Sequence, residues 1–131
     1  EDITVFPLWQ YGVALPEDGI YTTSEYQQEH PEICAAVARA TMEGWRYARE
    51  NVDETLDCVM ERVEQAQLPT NRPHMRWMLT HILDSIFPAK DDTWSEGNLT
   101  KETFSQVCDL LLKSGWIHVA PEFDDFVKIS K

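Results

Sequence analysis

Residues 30–57, "HPEICAAVARATMEGWRYARENVDETLD", decide the fold class of this chain. Pro31 stands where a helix tolerates proline best, at its first position, and Ser24 shortly before it reads as the N-cap of a short preceding turn. Ile33, Val37, Thr41, Trp45 and Ala48 then recur at helical spacing and form one stripe. Asn51-Val-Asp-Glu54 reads as a stop and restart, with Asn51 capping the next helix and Glu54 reaching back to it.

The helical period continues outward from there. Leu56, Val59, Met60 and Val63 mark the core side of a second helix that ends before Leu68-Pro69. Asn71 opens a third with Pro73 near its start, and its apolar face of Met75, Met78, Leu79, Ile82, Leu83 and Ile86 is wide enough to predict deep burial. After the loop "PAKDDTWSEGN", Thr100 caps a fourth helix with Phe104, Val107, Cys108, Leu111 and Leu112 on one face. Gly115 takes the position of a left-handed C-terminal cap. Trp116, Phe123 and Phe126 are the expected anchors of the short tail.

Strand signals are thin by comparison. "ITVFPLW" at residues 3–9, "GIYTT" at residues 19–23 and Ile117 to Val119 carry β-branched and aromatic residues. Two or three such strands make no stable sheet unless helices cover them or another segment supplies further strands. The fold class expected is therefore α/β and predominantly helical as present, with four main helices and two or three short strands. The whole of 1–131 reads as one domain.

Composition excludes several functions. With 43% hydrophobic residues the chain can bury a core. Eleven Lys and Arg against 23 Asp and Glu leave a net charge of −12. Nucleic acid and anionic membranes would meet repulsion rather than counterion release. No apolar run reaches the ~18 residues of a spanning helix, and no secretory leader stands at the N-terminus. The first residue is Glu1, which reads as a processed product, a trimmed chain or a fragment.

Catalytic patterns are missing too. Cys34, Cys58 and Cys108 are odd in number and never in C-x-x-C spacing, so they read as small buried hydrophobes rather than a zinc site or disulfide framework. His74 and His81, with Trp77 between them on roughly one helix face, lack a third ligand and the H-E-x-x-H spacing, and read as a surface pair. Asp91-Asp92 and Asp124-Asp125 read as solvated doublets. Asn98-Leu-Thr100 matches a glycosylation sequon in which Thr100 is better used as a cap. No catalytic residue, metal ligand or cofactor is expected.

An aromatic pair with "YGV", a proline, an acidic residue and "GIYTT", followed by residues 30–57, resembles one family. It is similar to the solute-binding proteins of ABC transporters for nitrate, sulfonates, taurine and thiamine-pyrimidine precursors, a family that also contains a pyrimidine-precursor synthase. The matching features fall on Ile20 to Thr23, His30-Pro31, Val37, Ala40, Trp45 to Ala48 and Asn51 to Thr55. Val52 replaces the usual proline after Asn51, and His30 the usual asparagine before Pro31. "LPTNRPHMRWML" looks like the pyrimidine-precursor branch. The resemblance covers about Val5 to Val127.

The resemblance implies a C-terminal segment of a type II periplasmic-binding-protein lobe, its N-terminal half lying elsewhere. Such a protein binds a small organic solute between two lobes and presents it to an ABC permease outside the cytoplasm, with or without a lipid anchor, and without catalysis. In that setting Trp9 and Tyr11 would face the ligand, Gly12 would let the backbone approach it, and Glu17 or Asp18 would accept hydrogen bonds from a ring amine or cation. The same stretch also reads as an ordinary hydrophobic lead-in with a Pro-Glu-Asp-Gly turn. The other functional readings are a pyrimidine-precursor synthase-like enzyme and a stand-alone helical interaction domain. A fragment of such a fold is expected to self-associate, because its strands and apolar helix faces lose their cover.

Overall fold

The computed structural model describes residues 4–13, 15–16, 18–88 and 97–127, with the side chain of Trp9 left aside. Among these residues six α-helices follow a single 3-10 turn: α1 Ser24–Glu29, α2 Pro31–Glu50, α3 Val52–Gln65, α4 Arg72–Ile86, α5 Lys101–Lys113 and α6 Phe123–Phe126. The chain divides into two compact units, Ser24–Gly97 and the pair of segments Glu1–Thr23 and Asn98–Lys131.

In the unit Ser24–Gly97, α2, α3 and α4 pack around Ala48, Leu56, Leu79 and Leu83, with Trp45, Val52, Met75 and Phe87 against them. Leu56 is only 1% exposed and is the centre of this core. Burying a leucine so completely is worth about 1.5–3 kcal/mol. The stripe on α2 is used only in its second half, since Ile33 and Val37 remain 42% and 46% exposed. Of the wide face on α4, only Leu79 and Leu83 are buried, and Met78 stays exposed, so the deep burial expected for this helix is not reached.

Helix ends follow local chemistry. Asn71 caps α4, its Oδ1 accepting the His74 N–H at 3.0 Å, and Thr100 caps α5, its Oγ1 accepting the Thr103 N–H at 3.2 Å. Asn51 behaves differently from the sequence expectation. Its side chain makes no cap bond to α3; Nδ2 donates instead to the Tyr47 carbonyl at 3.0 Å, which closes α2. Glu54 does not reach back either, because its carboxylate takes the Tyr47 hydroxyl. Ser24 opens α1 as its first residue instead of preceding it.

Two helices end in the same six-residue turn. After α5, Gly115 at φ 75° donates to Leu112 O at 3.1 Å and Trp116 to Leu111 O at 3.0 Å. After α3, Gln67 at φ 53° donates to Glu64 O and Leu68 to Val63 O, both at 3.0 Å. Both are Schellman motifs, and only one has the glycine that a left-handed residue favours.

α3 and α4 are also joined by charge. Arg72 pairs with Asp57 and lies 3.6 Å from Asp53, whose carboxylate also takes Arg76. The Arg76 hydrogen bond and charge, with a smaller contribution from Arg72, hold the Asp53 carboxyl below the usual range. The hydrogen bond to Asp57 raises Arg72 further.

In the other unit, Phe104 and Cys108 are the buried residues of α5. Phe123 meets the Phe104 ring edge-on at 5.4 Å and Phe126 lies at 5.3 Å. The anchoring expected of Trp116 fails. The Schellman turn directs it outward and leaves it 81% exposed.

No strand occurs among the described residues. The expected strand at residues 3–9 runs into the 3-10 turn Leu8–Tyr11, and residues 19–23 and Ile117 to Val119 are irregular. β-branched residues favour extended backbone, but a ladder needs a neighbour to satisfy its N–H and C=O groups, and none is supplied here. The α/β expectation is thus corrected to helical for the described residues.

Candidate functional site

The candidate residues lie on the stretch before α1, and its geometry starts from a turn. Pro7 fixes its own φ and offers its carbonyl to the Gln10 N–H at 3.0 Å. The Val13 N–H returns to the Leu8 carbonyl at 3.2 Å. Gly12 lies between them at φ 80°, the left-handed region that this reversal demands.

This turn brings Tyr11 and Gly12 together. Tyr11 is 68% exposed, its ring offering a flat apolar face with a hydroxyl at the tip. A Cβ added to Gly12 would meet nothing within 4 Å. The backbone there is open to close approach from outside, and the glycine is required by φ alone. Asp18 is exposed farther along the stretch. The side chain of Trp9 and the whole of Glu17 lie outside the described residues, as do Asp91 and Asp92. The Tyr11 ring beside the open glycine offers a stacking surface, and the exposed Asp18 carboxylate is an acceptor for an amine.

The His74, Trp77 and His81 rings make a ladder on the outer side of α4. His74 stacks with Trp77 at 6.1 Å and Trp77 meets His81 edge-on at 4.5 Å. All three are exposed, in keeping with the surface reading. Among the described residues no group of three His, Cys, Asp or Glu is placed to hold a metal ion. Cys108 is buried and Cys34 half-buried, but Cys58 is exposed, one helical turn after Glu54, which corrects the expectation of three buried thiols.

Two grooves were not foreseen. One, open and of about 540 Å³, has Asp57, Glu61 and Glu64 on its rim and Met60, Val63 and Leu68 along its floor. The signal was present in the i, i+4, i+7 spacing of the three carboxylates, which places them on one face of α3. The Thr70 hydroxyl at its margin is buried without a hydrogen-bond partner among the described residues. The other, of about 250 Å³, runs between α5 and residues 120–123, with Lys101, Phe104, Cys108 and Phe123 along it.

Comparison with known proteins bears on the first stretch most directly. A sequence model of the family described as NMT1/THI5 like matches residues 1–55. The formylaminopyrimidine-binding protein of Halalkalibacterium halodurans is 25% identical over 117 residues, which is 88% of this chain and 34% of that protein. The chain thus spans about a third of the length of the relative it matches. No solved structure matches. Both matches fall in the nitrate, sulfonate and thiamine-precursor solute-binding family, the one that the sequence resembles. Among the described residues no helix is long and apolar enough to cross a membrane.

Proposed function

We propose that this chain is the C-terminal segment of an extracytoplasmic solute-binding protein that captures a pyrimidine-related small organic solute for an ABC importer and does not transform it. The observation that carries the reading is positional. The family match at residues 1–55 contains all five candidate residues, Trp9, Tyr11, Gly12, Glu17 and Asp18, and the alignment to a formylaminopyrimidine-binding protein covers 88% of the chain.

The chemistry is consistent with such a ligand. The Tyr11 ring can stack on a planar heteroaromatic ring, and the Asp18 carboxylate can accept from its amino group. The remaining length of the protein supplies the facing lobe, and closure of the two lobes about a hinge encloses the solute. It also supplies strand neighbours for residues 4–7 and 19–23, which in that setting join the sheet of a type II periplasmic-binding fold. This segment alone binds the solute weakly, because only one wall of the cleft is present.

The test begins with the intact mass of the natural gene product, which should lie well above the 15.2 kDa of this chain. Calorimetry of that product with a formylaminopyrimidine should then give one site per molecule, and Tyr11→Ala should weaken it at least tenfold. Mass spectrometry of the recovered ligand separates a binder from a synthase: unchanged ligand supports binding, a converted one the enzyme. A natural product of 15.2 kDa, or unaltered affinity in Tyr11→Ala, would overturn this assignment.

A further inference from the structure

The break between α2 and α3 is one residue wide. Asn51 leaves the helix at φ −129° and ψ 55°, and α3 starts at the next residue. Neither proline nor glycine stands anywhere from Arg46 to Gln65, so nothing in the covalent chain enforces the interruption. Two backbone bonds in α-helical register meet at the junction: Asn51 N–H to Tyr47 O at 2.8 Å closes α2, and Thr55 N–H to Asn51 O at 2.9 Å opens α3. The N–H groups of Val52, Asp53 and Glu54 open α3 without a side-chain cap. In a continuous helix they would pair with the carbonyls of Ala48, Arg49 and Glu50.

The apolar stripe is also in phase across the break. Ile33, Val37, Thr41, Trp45 and Ala48 continue as Val52, Leu56, Val59 and Val63, always three or four residues apart. In the bent chain this stripe closes on itself, with Ala48 and Leu56 in one core and Trp45 and Val52 against it. Ile33 and Val37, at its far end, are left exposed. Straightened, it becomes one uninterrupted face running about 45 Å from Ile33 to Val63 at 1.5 Å per residue.

We propose that Asn51 is a hinge at which α2 and α3 join into a single helix, and that the occupant of the face so formed is a second copy of this chain. α2 of each copy then packs on α3 and α4 of the other, re-forming between molecules the cluster of Ala48, Leu56, Leu79 and Leu83 that the bent form makes within one. Such an exchange invents no contact, which is why element swapping is a low-cost route to dimers. Charge favours the antiparallel arrangement it requires. Residues 39–50 carry Arg39, Arg46 and Arg49 against Glu43 and Glu50, while residues 53–64 carry Glu54, Glu61 and Glu64 against Arg62, beside the Asp53 and Asp57 that Arg72 and Arg76 already take. Pairing about Asn51 lays the basic half of each helix on the acidic half of its partner.

Sedimentation equilibrium of the full 131-residue chain, with circular dichroism at each concentration, tests this with two substitutions of opposite effect. Asn51→Ala removes the Nδ2 bond to Tyr47 and raises helix propensity; the dimer should tighten at least tenfold relative to the wild type, with a gain in helix signal. Val52→Pro fits the first position of α3 but denies the continuous helix an N–H and sets its ring against the Ala48 carbonyl; this variant should stay monomeric. Asn51→Gln, which also favours helix, serves if Asn51→Ala does not fold. A folded hinge variant that is monomeric at millimolar concentration would overturn the proposal. So would a Val52→Pro chain that dimerises as tightly as the wild type, since the contact would then lie elsewhere.

Discussion

The Tyr47 carbonyl accepts twice from Asn51, from its backbone N–H at 2.8 Å and from its side-chain Nδ2 at 3.0 Å. Asn51 thereby finishes α2 and leaves the start of α3 without a side-chain cap. The phenol of the same tyrosine is engaged by Glu54, whose carboxylate accepts its hydroxyl. That bond is the main reason the Tyr47 pKa lies above its ordinary value, with burial and the Glu54 charge adding to it. A raised pKa means that the contribution to stability is complete below the unfolded-state value near 10 and is lost as pH rises through the folded one. A phenolate absorbance titration, taken as the difference from Tyr47→Phe, should therefore show Tyr47 ionising late. Glu54→Gln should bring it down.

Asp53 shifts in the opposite sense. Its carboxyl is held low by the Arg76 hydrogen bond first, then by the charges of Arg76 and Arg72. The pairing between α3 and α4 therefore contributes above the unfolded-state pKa near 3.9 and is lost as pH falls through the depressed folded value. A carboxyl NMR titration should place Asp53 below the ordinary aspartate value, and Arg76→Gln should raise it toward that value.

The matched turns after α3 and α5 set up a paired experiment. Gln67 carries a side chain in the left-handed region, at a cost of about 1–2 kcal/mol that glycine avoids. Gln67→Gly should raise stability by about 1 kcal/mol, with a melting temperature a few degrees higher. Gly115→Ala should lower it by a similar amount. Equal and small effects at both sites would show that the left-handed conformation is absent in solution.

The apolar stripe should respond unevenly to truncation. Leu56→Ala removes the side chain at the centre of the core and should cost about 2–5 kcal/mol in urea unfolding. Ile33→Ala, on the same stripe but exposed, should stay within about 0.5 kcal/mol at concentrations where the chain is monomeric. A comparable loss at both positions would mean that α2 is covered along its whole length.

Helices were legible because their signals are local. Pro31 and Pro73 at helix starts, Asn71 and Thr100 as caps and Gly115 past a helix end each act within a few residues of themselves, and the structure uses them as their chemistry dictates. Asn51 was misread because N-x-x-E spacing suits a capping box equally well. The competing Tyr47 carbonyl one turn earlier decided the outcome. Strands were over-read for the reason that makes sheets non-local: Val5, Phe6, Ile20 and Tyr21 favour extended backbone but cannot supply the strand beside them. Of the candidate site, Tyr11 and Gly12 share a turn that "YGV" foreshadows. The acid-rimmed groove depended on Leu68 and Thr70 returning past α3, which the turn at Gln67 makes and no period in the sequence announces.

The described residues between Val5 and Tyr21 combine exposed apolar side chains with backbone outside any strand or α-helix. In a cell, those two properties are what holdase chaperones bind and proteases cleave, and the fate of a chain displaying them is decided by triage as much as by its equilibrium stability. The abundance of this polypeptide should accordingly follow how quickly that stretch is covered after synthesis. Its lifetime becomes a clock for assembly.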